Sequence, residues 1–251
     1  MSTGIRVGTS GWSYGHWDGA FYPNELSARK RLDYYTTQFP TVEINATFYR
    51  LPSQDAVRSW HDTVPDRFRF AAKGSRAITH YHRLADATDQ IHAFMRRIGA
   101  LKSFLDVVLW QLPPTLSRDD HLLDAFLGNL PRSHTRHAVE FRHESWLAEE
   151  VFAIMRHHRA SNVQVSSSQM PEDLTVTSDL VYVRLHGLEG DDHDYSSEQL
   201  RPWADFLTEQ HAAGRACYVY FNNDARARAP KNARSLIEML GESALPWSSD
   251  T

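Results

Sequence analysis

A chain of 251 residues that is 41% hydrophobic and 23% charged has enough apolar material for a large core, and its net charge of −4 is too small to keep it unfolded. One cysteine, Cys217, excludes an internal disulfide framework and every multi-cysteine metal site, and points to a reducing compartment. The acidic balance excludes a global basic field for nucleic acid, and neither an apolar leader in MSTGIRVGTS nor a run of roughly 18 apolar residues is present, so a cytoplasmic protein with no membrane partner is expected.

Strand-like and helical patterns then alternate from end to end. IRVGTS (5–10) precedes the helical stretch SARKRLDYYTTQF, TVEINATFY (41–49) precedes SQDAVRSWHDTV, and RFRFAAKG (67–74) precedes DATDQIHAFMRRIGALKSF. DVVLWQLP (106–113) leads to SRDDHLLDAFLGNL, HAVEFRH (137–143) to ESWLAEEVFAIMRHHRA, LVYVRLHG (180–187) to SSEQLRPWADFLTEQHAAG, and ACYVYFNN (216–223) to KNARSLIEMLG. NVQVSSS (162–168) is followed only by QMPEDLTVTSD, too short and Pro-broken for a full helix. Ser53, Ser117 and Ser196 or Ser197 read as N-caps, and Gly214 and Gly241 as C-terminal stops. Eight strands and seven helices over about 250 residues predict a single (β/α)8 TIM-type barrel spanning 1–251, with one degenerate βα unit near 162–180.

The pleat sharpens this expectation. Strands covered by helices usually read as continuous apolar runs, but here several alternate. Val42 and Ile44 oppose Glu43 and Asn45; Phe68 and Phe70 oppose Arg69 and Lys73; Val139 and Phe141 oppose Glu140 and Arg142. Val163 and Val165 oppose Gln164 and Ser166, Val183 and Leu185 oppose Tyr182, Arg184 and His186, and Val219 and Phe221 oppose Tyr218, Tyr220 and Asn222. The apolar sets suit packing under helices, so the polar sets are expected to face a shared interior.

The blocks VGTSGWSYGHWDGAFYP, VEINATFYRLPS, FRFAAKGSRAITH, LWQLPP, VEFRHESW, YVRLHG and YFNNDARARAPKNA, in this order over nearly the whole chain, resemble the YecE-like family, domain of unknown function 72. The resemblance implies a TIM-type barrel and supplies no established reaction, substrate or cofactor. It also implies an Asp where this chain has Ser166, Ser167 and Ser168, so a role for that Asp is lost here or taken over by a hydroxyl.

In TIM barrels the active site lies at the C-terminal ends of the strands. That criterion selects Glu43, Lys73, Glu140 and His186 as catalytic candidates, with Asn45, Arg142, Arg184 and Asn222 as substrate ligands. Glu140 is the favoured base, its neighbour Arg142 keeping it ionised; His186 is a proton carrier near neutral pH. Lys73 is read as an electrostatic stabiliser before a Schiff-base amine. Arg142 and Arg184 suit a bidentate grip on a carboxylate or phosphate.

Trp12 and Tyr14 in the aromatic first loop are candidates for a stacking wall that binds substrate or for packing under the rim, and His80, in the loop after Lys73, is a further substrate-binding candidate within reach of the mouth. GTSG at 8–11 is neither a Walker loop nor a Gly-x-Ser-x-Gly elbow, which leaves Ser10 a weak nucleophile candidate, and no nicotinamide or flavin motif is present. None of the 14 histidines shows His-Glu-x-x-His spacing; His82, the pair His157–His158 and His193 are read as surface.

The expected function is acid-base chemistry on a small polar, anionic substrate, either without a cofactor or assisted by a divalent metal, by hydrolysis, isomerisation or a lyase reaction, with nucleic acid disfavoured as a partner. One alternative is a metal-dependent barrel of sugar-isomerase or endonuclease type, a divalent ion being held by Glu43, Glu140 and His186. Another is a ligand-binding protein without turnover.

Overall fold

The computed structural model describes residues 4–131, 133–188 and 194–247, so His193 lies outside the described residues. Eight parallel strands close into a barrel in sequential order: β1 (Arg6–Ser10), β2 (Thr41–Ile44), β3 (Arg69–Lys73), β4 (Leu105–Gln111), β5 (Arg136–Glu140), β6 (Ser161–Ser166), β7 (Leu180–Leu185) and β8 (Ala216–Phe221). β1 pairs with β8, Val7 opposite Val219, to complete the ring. The helices are α1 (Arg31–Thr36), α2 (Ala46–Tyr49), α3 (Gln54–Thr63), α4 (Thr88–Ile98), α5 (Asp120–Gly128), α6 (Glu149–His157), α7 (Ser197–Ala212) and α8 (Arg228–Leu240). No helix among the described residues is long and apolar enough to cross a membrane.

Local chemistry sets the helix ends. Ser53 accepts from the Ala56 amide at 3.1 Å, and Ser196 forms a reciprocal capping box with Gln199 at the start of α7. α5 is capped by Asp119, not Ser117: the Asp119 carboxylate accepts from the Leu122 amide at 2.9 Å. α8 begins three residues before Lys231, since Pro230 in the first turn forgoes an N–H that has no helical partner there. Gly241, with φ +52°, stops it.

Two apolar clusters result. Val42, Ile44, Phe70, Val139, Val183 and Val219 on the outer strand faces merge with Val57, Ile91, Leu123, Leu207 and Leu236 from the helices. Inside the barrel, Ala71, Val107, Leu109, Ala138, Val163, Val165, Leu180, Tyr182, Tyr218 and Tyr220 form a separate plug. Where β3 meets β4 the register shifts between Phe70 and Ala71. Beside that shift Asp106 accepts from the Tyr218 hydroxyl and faces Arg69 at 3.5 Å and Arg136 at 3.9 Å, an ionic floor under the plug.

β6 reverses the expected polarity. Val163 and Val165 enter the interior plug, whereas Gln164 and Ser166 bond away from it. The cause is the missing helix after β6, which the sequence anticipated near 162–180. Residues 167–179 run as an irregular strap over this wall, and a strap, unlike a helix, brings unpaired backbone groups. The Gln164 amide donates to Thr175 O at 2.9 Å and Asn162 O at 3.0 Å; Asn162 donates to Thr175 O at 3.2 Å; the Thr177 hydroxyl donates to Ala160 O at 2.7 Å. Polar side chains therefore belong on the outside of β6.

Candidate functional site at the barrel mouth

The charge sits on the last inward residues of four strands: Glu43 of β2, Lys73 of β3, Glu140 of β5 and Arg184 of β7. Arg184, near the end of β7, is completely buried and spans the barrel: Nη1 donates to Glu140 Oε2 at 2.5 Å and Nη2 to Glu43 Oε1 at 2.9 Å. Glu43 also accepts from Ser10 Oγ at 2.5 Å and, at Oε2, from the Tyr182 hydroxyl at 2.6 Å. Glu140 Oε1 accepts from Gln111 Nε2 at 3.0 Å and from Arg142 Nε. Every oxygen of both carboxylates is thereby engaged. Burial, the largest single influence, would raise both carboxyls, but it is outweighed by Arg184 together with Lys73 and two hydroxyls at Glu43, and by Arg184 together with Arg142 and His186 at Glu140. Glu43 is held below its ordinary range and Glu140 well below it. The geometry makes them anchors of a charged lattice, and Glu140 in this setting is a poor acceptor of protons at neutral pH.

His186 stands above Arg184. Its Nε2 faces Arg142 Nη2 at 2.9 Å, Arg184 Nη1 at 3.3 Å and Glu140 Oε1 at 3.4 Å, and its Nδ1 faces the Asn222 amide at 3.0 Å. Burial, opposed by Glu140 and reinforced by the two guanidiniums, takes its pKa down to about 4, so the ring is neutral at pH 7. A neutral imidazole has one donor and one acceptor for these neighbours, and shifting its proton between nitrogens exchanges which of them it serves.

Lys73 ends β3 on the opposite side. Burial and Arg184, opposed by Glu43 and Glu140, lower its pKa to about 8. The amine makes no hydrogen bond or ion pair among the described residues; Nζ rests 4.2 Å from the centre of the Phe48 ring. Phe48 is braced edge-on by half-buried His80 and by Tyr49, both with ring centres 5.0 Å away. Burial, then Lys73 and Arg76, lower the His80 pKa.

The first loop divides between the two roles expected of it. Trp17 and Tyr22 are buried in the core, whereas Trp12 and Tyr14 line a cavity of about 660 Å³ beside the mouth with Leu32, Asn45, Tyr49 and Trp60. Trp12 packs edge-on against Trp60 at 5.5 Å, and the Tyr14 hydroxyl donates to Ser10 O at 2.7 Å. Asn45 Oδ1 is buried without a hydrogen-bond partner.

Glu43, Lys73, Glu140, Arg142, Arg184, His186 and Asn222 thus converge at one end of the barrel, and Trp12, Tyr14, Asn45 and His80 flank them. Arg184 and Ser10 are sealed inside the lattice, not presented at its surface. Tyr182 and Gln111 complete the lattice; both lie on the inward period-two face, the signal that could have found them. His82 and His157 are exposed, while His158 is held 2.8 Å from Asp124.

The divalent metal of the alternative reading does not fit this donor set: guanidiniums already stand where a cation would bind both glutamates. No cluster of three or more His, Cys, Asp or Glu residues suited to a metal ion occurs among the described residues.

A closed, sequentially ordered parallel barrel with its polar cluster at the C-terminal strand ends defines a TIM-barrel protein. Residues 6–250 match the family described as "Protein of unknown function DUF72", and the chain belongs to that family. It is 26% identical to the UPF0759 protein YecE of Escherichia coli (strain K12), over 94% of this chain and 92% of YecE. A crystal structure of a DUF72 family protein from Thermotoga maritima MSB8 superposes with a TM-score of 0.85 at 30% identity, covering 94% of this chain and 98% of the other. A xylose isomerase-like TIM-barrel protein from Mycobacterium smegmatis, solved in complex with magnesium, shares the fold at a TM-score of 0.56 and 9% identity, over 97% of this chain and 98% of that one.

Proposed function

We propose that this protein is an enzyme that binds a small anionic substrate at the barrel mouth and acts on it by proton transfer. The observation that carries the reading is a charge imbalance. Among the described residues, Lys73, Arg142 and Arg184 share the mouth with two carboxylates, Glu43 and Glu140, both fully engaged, and Lys73 makes no hydrogen bond or ion pair. With His186 neutral, these described residues carry one excess positive charge in a poorly hydrated site, which an oxyanion would relieve. Arg142, 12% exposed, forms the reachable edge with His186 and Asn222 for the anionic group, over the fixed charge of Arg184.

Lys73, partly neutral near pH 8, supplies the proton acceptor that the two glutamates do not. A protein that only binds anions has no need of an amine held near neutrality, which favours turnover over storage. The same proton chemistry serves hydrolysis, isomerisation or a lyase reaction, and the cavity bounded by Trp12 and Trp60 has room for the remainder of the substrate.

Thermal unfolding tests the reading. Phosphate, sulfate or a small carboxylate at 100 times its dissociation constant should stabilise the folded protein by about 2.7 kcal/mol, while chloride at matched ionic strength should not. Arg142→Ala should lose most of the shift, because Arg142 is the cation at the edge, whereas Arg184 lies beneath it. Equal shifts in both proteins, or none with any oxyanion, would remove the support for an anionic substrate.

A further inference from the structure

We propose that Lys73 is an imine-forming amine, and that the substrate of the mouth is a small aldehyde or ketone bearing a phosphate or carboxylate. The proposal rests on the mouth being the substrate site, and it replaces the proton-acceptor role of the Lys73 amine by a covalent one. Its own support is the way Lys73 is held.

The backbone at Lys73 is fixed on two sides. The Thr47 hydroxyl donates to Lys73 O at 2.6 Å, and the Gly74 amide donates to Leu109 O at 2.7 Å. A side chain at Gly74 would meet the Trp110 ring at 2.3 Å, so the strand end lies flat against β4. The Lys73 stem is buried, with 6% of the residue exposed, and its nitrogen faces an aromatic ring where an ion-paired lysine would face a carboxylate. Glu43 and Glu140 attract the amine, but their oxygens are taken by Arg184, Arg142, Ser10, Tyr182 and Gln111. An amine positioned by its backbone and walled by Phe48, yet free of hydrogen bonds among the described residues, has its lone pair available whenever it is neutral.

Burial and Arg184 make that state accessible. With a pKa of about 8, the neutral fraction of Lys73 at pH 7 is roughly two hundred times that of an ordinary solvated lysine. The other three lysines differ: Lys30 and Lys102 are exposed, and Lys231 is paired with Asp194 at 2.6 Å.

The reaction balances without a redox partner. The amine lone pair attacks the carbonyl carbon, the C=O π pair moves to oxygen, and proton exchange with solvent gives a carbinolamine. Loss of that oxygen as water, with its bonding pair, leaves the C=N bond. One carbonyl and one amine become one imine and one water. The protonated imine carries the same single charge as the ammonium it replaces, so the lattice that accommodates one accommodates the other. The anionic group of the substrate then falls to Arg142 and His186 across the mouth.

The test is reductive trapping. The full-length protein is incubated with pyruvate or dihydroxyacetone phosphate and sodium cyanoborohydride at pH 7, and the adduct is located by peptide mass spectrometry. With only four lysines in the chain, assignment is direct. A single saturable adduct at Lys73, formed at least tenfold faster than at Lys30, Lys102 or Lys231 and slowed by phosphate, is the expected result. Lys73→Arg, which keeps the charge but cannot form the imine, should give no adduct and retain its phosphate-induced thermal shift; that shift also shows that the variant is folded. Absence of an adduct at Lys73 with both probes, or equal labelling of all four lysines, overturns the proposal. An intact phosphate shift beside failed trapping removes the imine alone, whereas a missing phosphate shift removes the anion site.

Discussion

At the residue scale, the buried carboxylates and Arg184 belong to one interaction network. Replacing Glu140 by Gln removes the charge that Arg184 and Arg142 share and leaves Arg184 with Glu43 alone in a fully buried site. The expected cost is roughly 3–5 kcal/mol, the range for breaking a buried ion pair, read as a lowered urea midpoint before any substrate is known. A midpoint unchanged from wild type would show that Glu140 does not anchor the lattice. His186 has the opposite titration problem. Its folded pKa of about 4 lies below the ordinary 6.5, so the unfolded chain binds the extra proton between those values and stability falls as pH drops from about 6.5 to about 4. The loss attributable to this ring is roughly 3 kcal/mol. The half-buried His137 and His80 shift in the same direction, so the difference between wild type and His186→Asn across that window isolates His186. Sequence alone placed Glu43, Glu140, Arg184 and His186 on inward faces, because period two is set by the backbone. It could not show that Arg184 would use both ends of its guanidinium on carboxylates from strands far apart in the chain, or that Lys73 would be left without one.

At the scale of elements, alternation identifies two strand faces but does not say which is inside; that depends on what covers the strand. β2, β3, β5, β7 and β8 put their apolar face outward, as the pattern suggested, and β4 is apolar on both faces. β6 inverts because a strap covers it, and the strap needs hydrogen-bond donors from the strand beneath. The Pro-broken segment QMPEDLTVTSD carried the warning, but its consequence for Gln164 depends on where the Thr175 carbonyl comes to lie. Gln164→Ala should therefore cost about 1–3 kcal/mol, the penalty for stranding buried acceptors, with a compensating loss of protection in amides of 173–177 by hydrogen exchange. A substitution without effect on either quantity would mean that the strap is held by its ends. Helix ends show the same dependence on local competition: both Ser117 and Asp119 are good caps by type, and the chain uses the one whose carboxylate reaches the Leu122 amide.

At the scale of the whole molecule, the barrel interior has an ionic floor around Asp106, an apolar plug and a charged mouth. The plug separates two ionic layers, so substitutions at Asp106 and at Glu140 should add nearly independently in stability. Element count and order were legible from the alternating patterns, whereas the floor was hidden because Asp106 reaches Tyr218 beside a register shift that no periodicity predicts. The strap has one further consequence, for how the chain could be rearranged. Ile5 and Ala244 bridge one another, bringing the two ends of the fold side by side, while Ser168, Gln169, Pro171 and Glu172 are exposed in the wall without a helix. A circular permutant with its old ends joined by a short linker and new ends opened at Gln169 would sever no helix and no strand. It should fold to the same barrel and keep the oxyanion-induced thermal shift, whereas opening the chain within α7 should not.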